Sequence, residues 1–289
     1  MTIKEKGYTH WEGELKESKF PWLPITVWGI KLTFRRKFFK PLFFLSLVPA
    51  LVFLVGIYIS ERLEDFQFMI KESTQFININ PNYFKAYFIN DFLLFIMVVI
   101  LVFCGAGLIS DDLKYNSLQL YFARPLKKKD YFLGKVSVIV FFLFIITLIP
   151  GLILFLMKLI FSGSFRFFLT FPLLPPAIIV YSVFVTGFFS FYTLLLSSLS
   201  KNRRYVSIFI FGLYIFSDIL FGIFYGIFGS KYFALLSIKS NLQQVGTTIF
   251  NQKTPYDFPW IYSFLVLLLF CIFSGVLLQK RVRGVEIIK

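Results

Sequence analysis

The residues in this chain that could do chemistry are few and scattered. Asp218 stands alone inside a long apolar run. A carboxylate at that depth costs a few kcal/mol (about 3) on insertion scales, so it must face a polar cavity, pair with a neighbour or take up a proton. Two readings stay open for it: a gate or substrate contact, or an interhelical hydrogen bond to a serine or tyrosine of another span. Cys104 and Cys271 both fall in apolar runs and read as small packing residues, and His10 has no cysteine nearby, so neither a disulfide scaffold nor a zinc or haem site is indicated. The Gly-x-x-x-x-Gly-Lys-Ser/Thr phosphate loop does not occur; Gly134-Lys135 is followed by Val136 and opens an apolar run. There is no His-Glu-x-x-His and no Gly-x-Ser-x-Gly with a partner histidine. The expectation is a chain that binds no cofactor and does not itself hydrolyse ATP.

The elements that would hold these residues are hydrophobic. With 57% hydrophobic and 16% charged residues, the chain cannot hide its apolar surface as a soluble domain, and it reads as an all-α polytopic membrane protein. Six apolar runs occur, at residues 41–60, 91–110, 132–157, 177–199, 206–229 and 259–279. Each is long enough to cross a hydrocarbon core of roughly 30 Å at 1.5 Å per residue. Six spans put both ends of the chain on one side. With the N-terminus in the cytoplasm, 22 of the 30 Lys and Arg face inward, the orientation that the positive-inside rule selects. That rule also accounts for the formal charge of +15, leaving nucleic acid an unnecessary partner.

Prolines within the runs predict kinks at Pro49 and at Pro150-Gly151. The first 19 residues balance four lysines against four glutamates and form a solvated tail without the features of a signal peptide. Residues 20–40 mix Trp22, Trp28, Phe34, Phe38 and Phe39 with Lys31, Arg35, Arg36, Lys37 and Lys40. That mixture predicts a helix lying in the interface against membrane lipids, the alternative being an ordinary basic juxtamembrane anchor. On a helical wheel Trp28, Leu32 and Phe39 cluster. Between spans five and six, the stretch from Ser230 to Phe250 suits either a pair of short helices dipping toward the membrane or a plain loop.

Between spans two and three lies a charged crossing, residues 105–135. Asp111 and Asp112 suit the first turn of a short helix, where carboxylates favour the positive end of the macrodipole, and Pro125 marks its far limit. Such a helix runs from about Asp112 to Ala123 and puts Leu113, Ser117, Leu120 and Tyr121 on one face.

This crossing, with Gly105-x-Gly107, Ile109-Ser110 before Asp111-Asp112, Arg124-Pro125, a basic run, Asp130-Tyr131 and Gly134-Lys135, resembles the permease subunits of ABC-2 type ABC transporters. The resemblance extends to the whole plan, including a basic end from Lys280 to Glu286. It implies that the crossing is a coupling helix seated in a cleft of a separate ABC ATP-binding subunit, which carries ATP and Mg. It also implies a second permease subunit, identical or related, and residence in a bacterial cytoplasmic membrane with residues 1–40 and 280–289 in the cytoplasm. Asp111, Asp112, Leu113, Asn116 and Leu120 are the expected docking residues, with Arg124 as a charged rim contact. The few polar groups in the spans favour export of a hydrophobic or amphipathic compound. Two rivals remain: a gradient-driven transporter or channel built on Asp218, and a member that passes ATPase motion to another protein without moving a solute.

Overall fold

The computed structural model describes residues 19–62, 79–122 and 126–282. Among these the chain is all helical, and six helical segments are long and apolar enough to cross a membrane: Phe39–Glu61, Pro81–Lys114, Lys128–Ser162, Leu174–Leu199, Arg203–Phe228 and Trp260–Arg281. Each expected run overlaps one of them. Three of them are built from two or three shorter helices. α1 (Leu23–Phe34) precedes the spans; α2 (Phe39–Leu45) and α3 (Val48–Glu61) make the first. α4 (Pro81–Ile89), α5 (Asp91–Cys104) and α6 (Gly107–Lys114) make the second, and α7 (Ser117–Phe122) follows. The third consists of α8 (Lys128–Ile146) and α9 (Leu148–Ser162), with α10 (Arg166–Thr170) beyond it. The fourth, fifth and sixth are α11 (Leu174–Leu199), α12 (Arg203–Phe228) and α14 (Trp260–Arg281).

The breaks have local causes. Pro49 sits in the first turn of α3, where a proline ring fits without losing a hydrogen bond. In the third span the break falls at Thr147, one turn before Pro150. Proline at 150 cannot donate to the carbonyl four residues back, and the Tyr87 hydroxyl donates to that Ile146 carbonyl instead, at 2.8 Å. The aromatic core around it includes Phe39, Phe84, Phe88 and Phe142, all fully buried.

Between Ser230 and Phe250 the pair of short helices is found: a 3-10 helix, Lys231–Leu236, and α13, Ile238–Ile249. α13 packs on α14, α4 and α12. At the opposite end, α1 lies against the start of α8, where the Thr26 hydroxyl donates to the Gly134 carbonyl at 3.1 Å. A side chain at Gly134 would meet Ile25 Cβ at 2.8 Å, so its glycine is required by the approach of α1. The wheel that grouped Phe39 with Trp28 and Leu32 fails because the helix stops at Phe34. Phe39 therefore begins α2, fully buried, while Trp28 and Leu32 stay exposed. Residues 31–40, 105–122, 126–135, 200–204 and 280–281 lie at or next to one set of helix ends, called the basic end below.

Candidate functional site

The charged crossing begins with a bend. α5 stops at Cys104 because Gly105 brings the chain hard against α11: a Cβ there would lie 2.1 Å from Thr193 Cγ2 and 2.9 Å from the Leu101 carbonyl oxygen. The bend is then stapled by Ser197 of α11. Its hydroxyl accepts from the Ile109 and Ser110 N–H groups at 2.9 and 3.1 Å and donates to the Ala106 carbonyl at 2.9 Å. One hydroxyl thus satisfies three backbone groups near the start of α6, where orphan N–H groups need partners.

α6 carries Asp112 inward. Lys135 Nζ of α8 lies 2.7 Å from Asp112 Oδ2, and the Tyr131 hydroxyl donates to the same oxygen at 2.7 Å. The side chains of Lys135 and Asp112 are only 9% and 12% exposed, so the pair is sheltered from solvent screening. Lys135 also lies over the rings of Tyr121 and Tyr131, which meet edge to face with centroids 5.4 Å apart. The Tyr121 hydroxyl is pushed above the ordinary tyrosine range by burial, then by the charge of Asp112. One buried ion pair with two aromatic lids therefore binds α6, α7 and α8 into a single corner.

This geometry changes the expected helix. Instead of one helix from about Asp112 to Ala123, α6 ends at Lys114, and Asn116, with φ of 53°, turns the chain into α7. Asparagine tolerates that left-handed conformation better than most residues. Asp111 and Asp112 consequently lie in the second half of α6, not at a helix N-terminus, and Leu113 no longer shares a helix with Ser117, Leu120 and Tyr121. Leu113 is half-buried against the core, whereas Lys114, Tyr115, Asn116 and Gln119 are exposed. The Leu120 backbone belongs to α7, and its side chain, like Arg124, Pro125 and the basic residues beyond Val282, lies outside the described residues.

Asp111 is half-buried beside Gly107 and Arg203. Nearby, the guanidiniums of Arg36 and Arg203 both donate to the Phe103 carbonyl, the latter at 3.5 Å, in the last turn of α5, where carbonyls need outside donors. Burial, then repulsion from Arg203, lowers Arg36 to about 10, with Asp111 pulling the other way. At neutral pH it remains cationic.

Asp218 is at the other end of the molecule. It pairs with Lys239 of α13 at 2.8 Å and accepts from the Ser237 hydroxyl at 3.0 Å. Its partners, one of them a serine, therefore lie in the segment beyond its own span, whereas the hydrogen-bond reading placed the serine or tyrosine on another span. Lys239 also approaches Asp91 at 3.8 Å, and the Gln243 amide donates to Asp91 at 2.7 Å. Burial tends to lower Lys239, but the hydrogen bond and charge of Asp218 outweigh it and leave the ammonium raised. Sequence reasoning missed Lys239, Ser197 and Arg203, and it placed Arg36 only among the cations facing lipid; Tyr131 and Lys135 stood out only as marks of a family pattern.

A family model described as "ABC-2 family transporter protein" matches residues 24–280, which takes in all six spans, the bend and the buried pair. No curated protein matches the chain.

Proposed function

The chain belongs to the ABC-2 family of membrane transporters, and on that premise we propose that it is a permease subunit whose α6–α7 corner seats on a separate ATP-binding subunit. ATP and Mg would sit on that partner, and this chain would supply no catalytic group. The observation that carries the reading is the corner's build. Exposed Lys114, Tyr115, Asn116 and Gln119 stand on a base tied to span three by the Asp112–Lys135 pair and to span four by Ser197. A push on the corner thus moves three spans together, which a solvated loop could not do.

The basic end faces the cytoplasm in this reading, as its excess of Lys and Arg favours. Two permeases sit side by side over two ATPases, and the cargo is a hydrophobic or amphipathic compound moved outward. The docking surface is narrower than the sequence implied, because Asp112 is committed to Lys135 and Tyr131. The test is to purify the tagged chain from its native membrane in mild detergent and identify by mass spectrometry what accompanies it. A stoichiometric soluble chain bearing a Walker motif is expected, and Tyr115→Glu with Gln119→Lys should remove it while membrane insertion persists. A chain that comes out alone under several detergents overturns the proposal.

A further inference from the structure

The turn from α1 into α2 is a concentration of cations with no countercharge of its own. Lys31, Arg35, Arg36, Lys37 and Lys40, with Phe34, line an open cleft of about 620 Å³. No Asp or Glu occurs from residue 18 to residue 60. Among the described residues none of Lys31, Arg35, Lys37 and Lys40 has a carboxylate partner. Five like charges around one cleft repel one another unless an anion enters.

The surroundings say which anion. Arg36 reaches the end of α5, and α1 lies on the start of α8, so the cleft sits at the bend after α5 and beside the first turns of span three, the level at which phosphates of a bilayer would meet the basic end. Trp28, Leu32, Phe38 and Phe44 next to it are 51%, 43%, 70% and 70% exposed. Lys31 and Arg35 each lie 5.7 Å from the Trp28 ring centre. Cations facing a cleft, with bare aromatic and aliphatic groups beside them, match a phosphate attached to acyl chains. A free phosphate would leave those apolar groups uncovered.

We propose that this cleft binds the headgroup of an anionic phospholipid of the leaflet at the basic end, and that the bound phosphate steadies the corner through Arg36. Arg36 is the link because it lines the cleft and also holds the Phe103 carbonyl at the bend between α5 and α6. An anion in the cleft offsets its repulsion with Arg203 and keeps both guanidiniums on that carbonyl. The link to the corner rests on the permease reading above, but headgroup binding does not require an ATPase.

The experiment uses the purified full-length chain in neutral detergent, mixed with equal amounts of phosphatidylglycerol and phosphatidylcholine, with retained lipid counted by native mass spectrometry. Phosphatidylglycerol should be retained selectively. Lys31→Gln/Arg35→Gln/Lys40→Gln should weaken that retention about a hundredfold, from three cations removed near the surface. Lys127→Gln/Lys128→Gln/Lys129→Gln, with as many cations removed at the same end, should retain it as before. Equal loss in both triple variants would mean diffuse attraction and overturn the site; so would displacement of the lipid by millimolar inorganic phosphate. Equal retention of the two lipids by the unaltered chain overturns it even if a variant fails to fold. Because no ATPase is present, this outcome is separate from co-purification, and either proposal can fail alone.

Discussion

Replacing Lys135 by methionine tests whether the corner is held by a buried charge pair. At 2.7 Å, with an effective dielectric of about 20, the gross attraction between Lys135 and Asp112 is about 6 kcal/mol. Desolvation of both groups offsets most of that, so the intact pair contributes little net stability. Breaking it from one side is different, because the remaining charge stays dehydrated, at a cost of about 3–5 kcal/mol. Asp112 keeps its hydrogen bond from Tyr131, and methionine preserves contact with the Tyr121 and Tyr131 rings, so Lys135→Met should fall near 3 kcal/mol, the low end of that range. Asp112→Asn/Lys135→Met removes both charges and should be less damaging than the two single changes added, with a coupling energy of about 2 kcal/mol. The measurement is denaturant unfolding of the purified chain in detergent for the parent, both singles and the double. Additivity within about 0.5 kcal/mol would refute the pairing.

Gly105→Ala places a methyl 2.1 Å from Thr193 Cγ2, and overpacking of that kind should cost about 1–3 kcal/mol in the same unfolding assay. Thr193→Ser, which deletes the opposing methyl, should recover part of the loss; no recovery would mean that α5 and α11 do not approach there. Lys239→Met strands Asp218, which is 35% exposed, and should cost about 1 kcal/mol. Because the Lys239 ammonium is raised, its contribution is complete at neutral pH and is lost as pH rises past the usual lysine value of 10.5. The gap between parent and variant should therefore stay constant from about pH 6 to 9 and close only in stronger alkali; a gap that closes near neutrality would show that Asp218 is held by something else.

The spans were legible because a run of about 20 apolar residues leaves the backbone no other way to satisfy its polar groups in lipid. Pro150 marks its kink through the N–H it lacks, although the break at Thr147 lies a turn before it. The corner departs from the single helix that its sequence suggests because its boundaries are set at long range. Asp111-Asp112 resembles a helix start, yet the helix has already begun at Gly107, where Ser197 from span four supplies the partners that a local cap would give. Nothing within a window of a few residues reports that serine. Asp218 was recognised as exceptional, but its counter-ion lies in a polar segment beyond its span, and no periodicity joins the two. The charge that makes Asp112 a docking candidate is the one that ties it to Lys135.

The far-end pair bears on the proposed assembly. Arg203 reaches the Phe103 carbonyl at the basic end, and Asp218 is about 22 Å further along α12 at 1.5 Å per residue. Asp91, at the start of α5, is about 18 Å from Phe103 by the same rise. Asp218 and Asp91 thus stand at nearly one level, with Lys239 approaching both, and in the proposed orientation that level would fall in the far half of a hydrocarbon core roughly 30 Å thick. Span five is among the least covered, with 22% of its apolar window buried in the single chain, against 72% for span two. Asp91 is 69% exposed. Charges at that depth cannot face acyl chains without the cost that insertion scales assign to them, and α13 covers them only in part. In the proposed assembly a second permease against span five, with water held between the two chains at this level, would remove that cost. The same charged level would then lie at the boundary between the two proposed subunits, as a polar foothold within otherwise apolar walls.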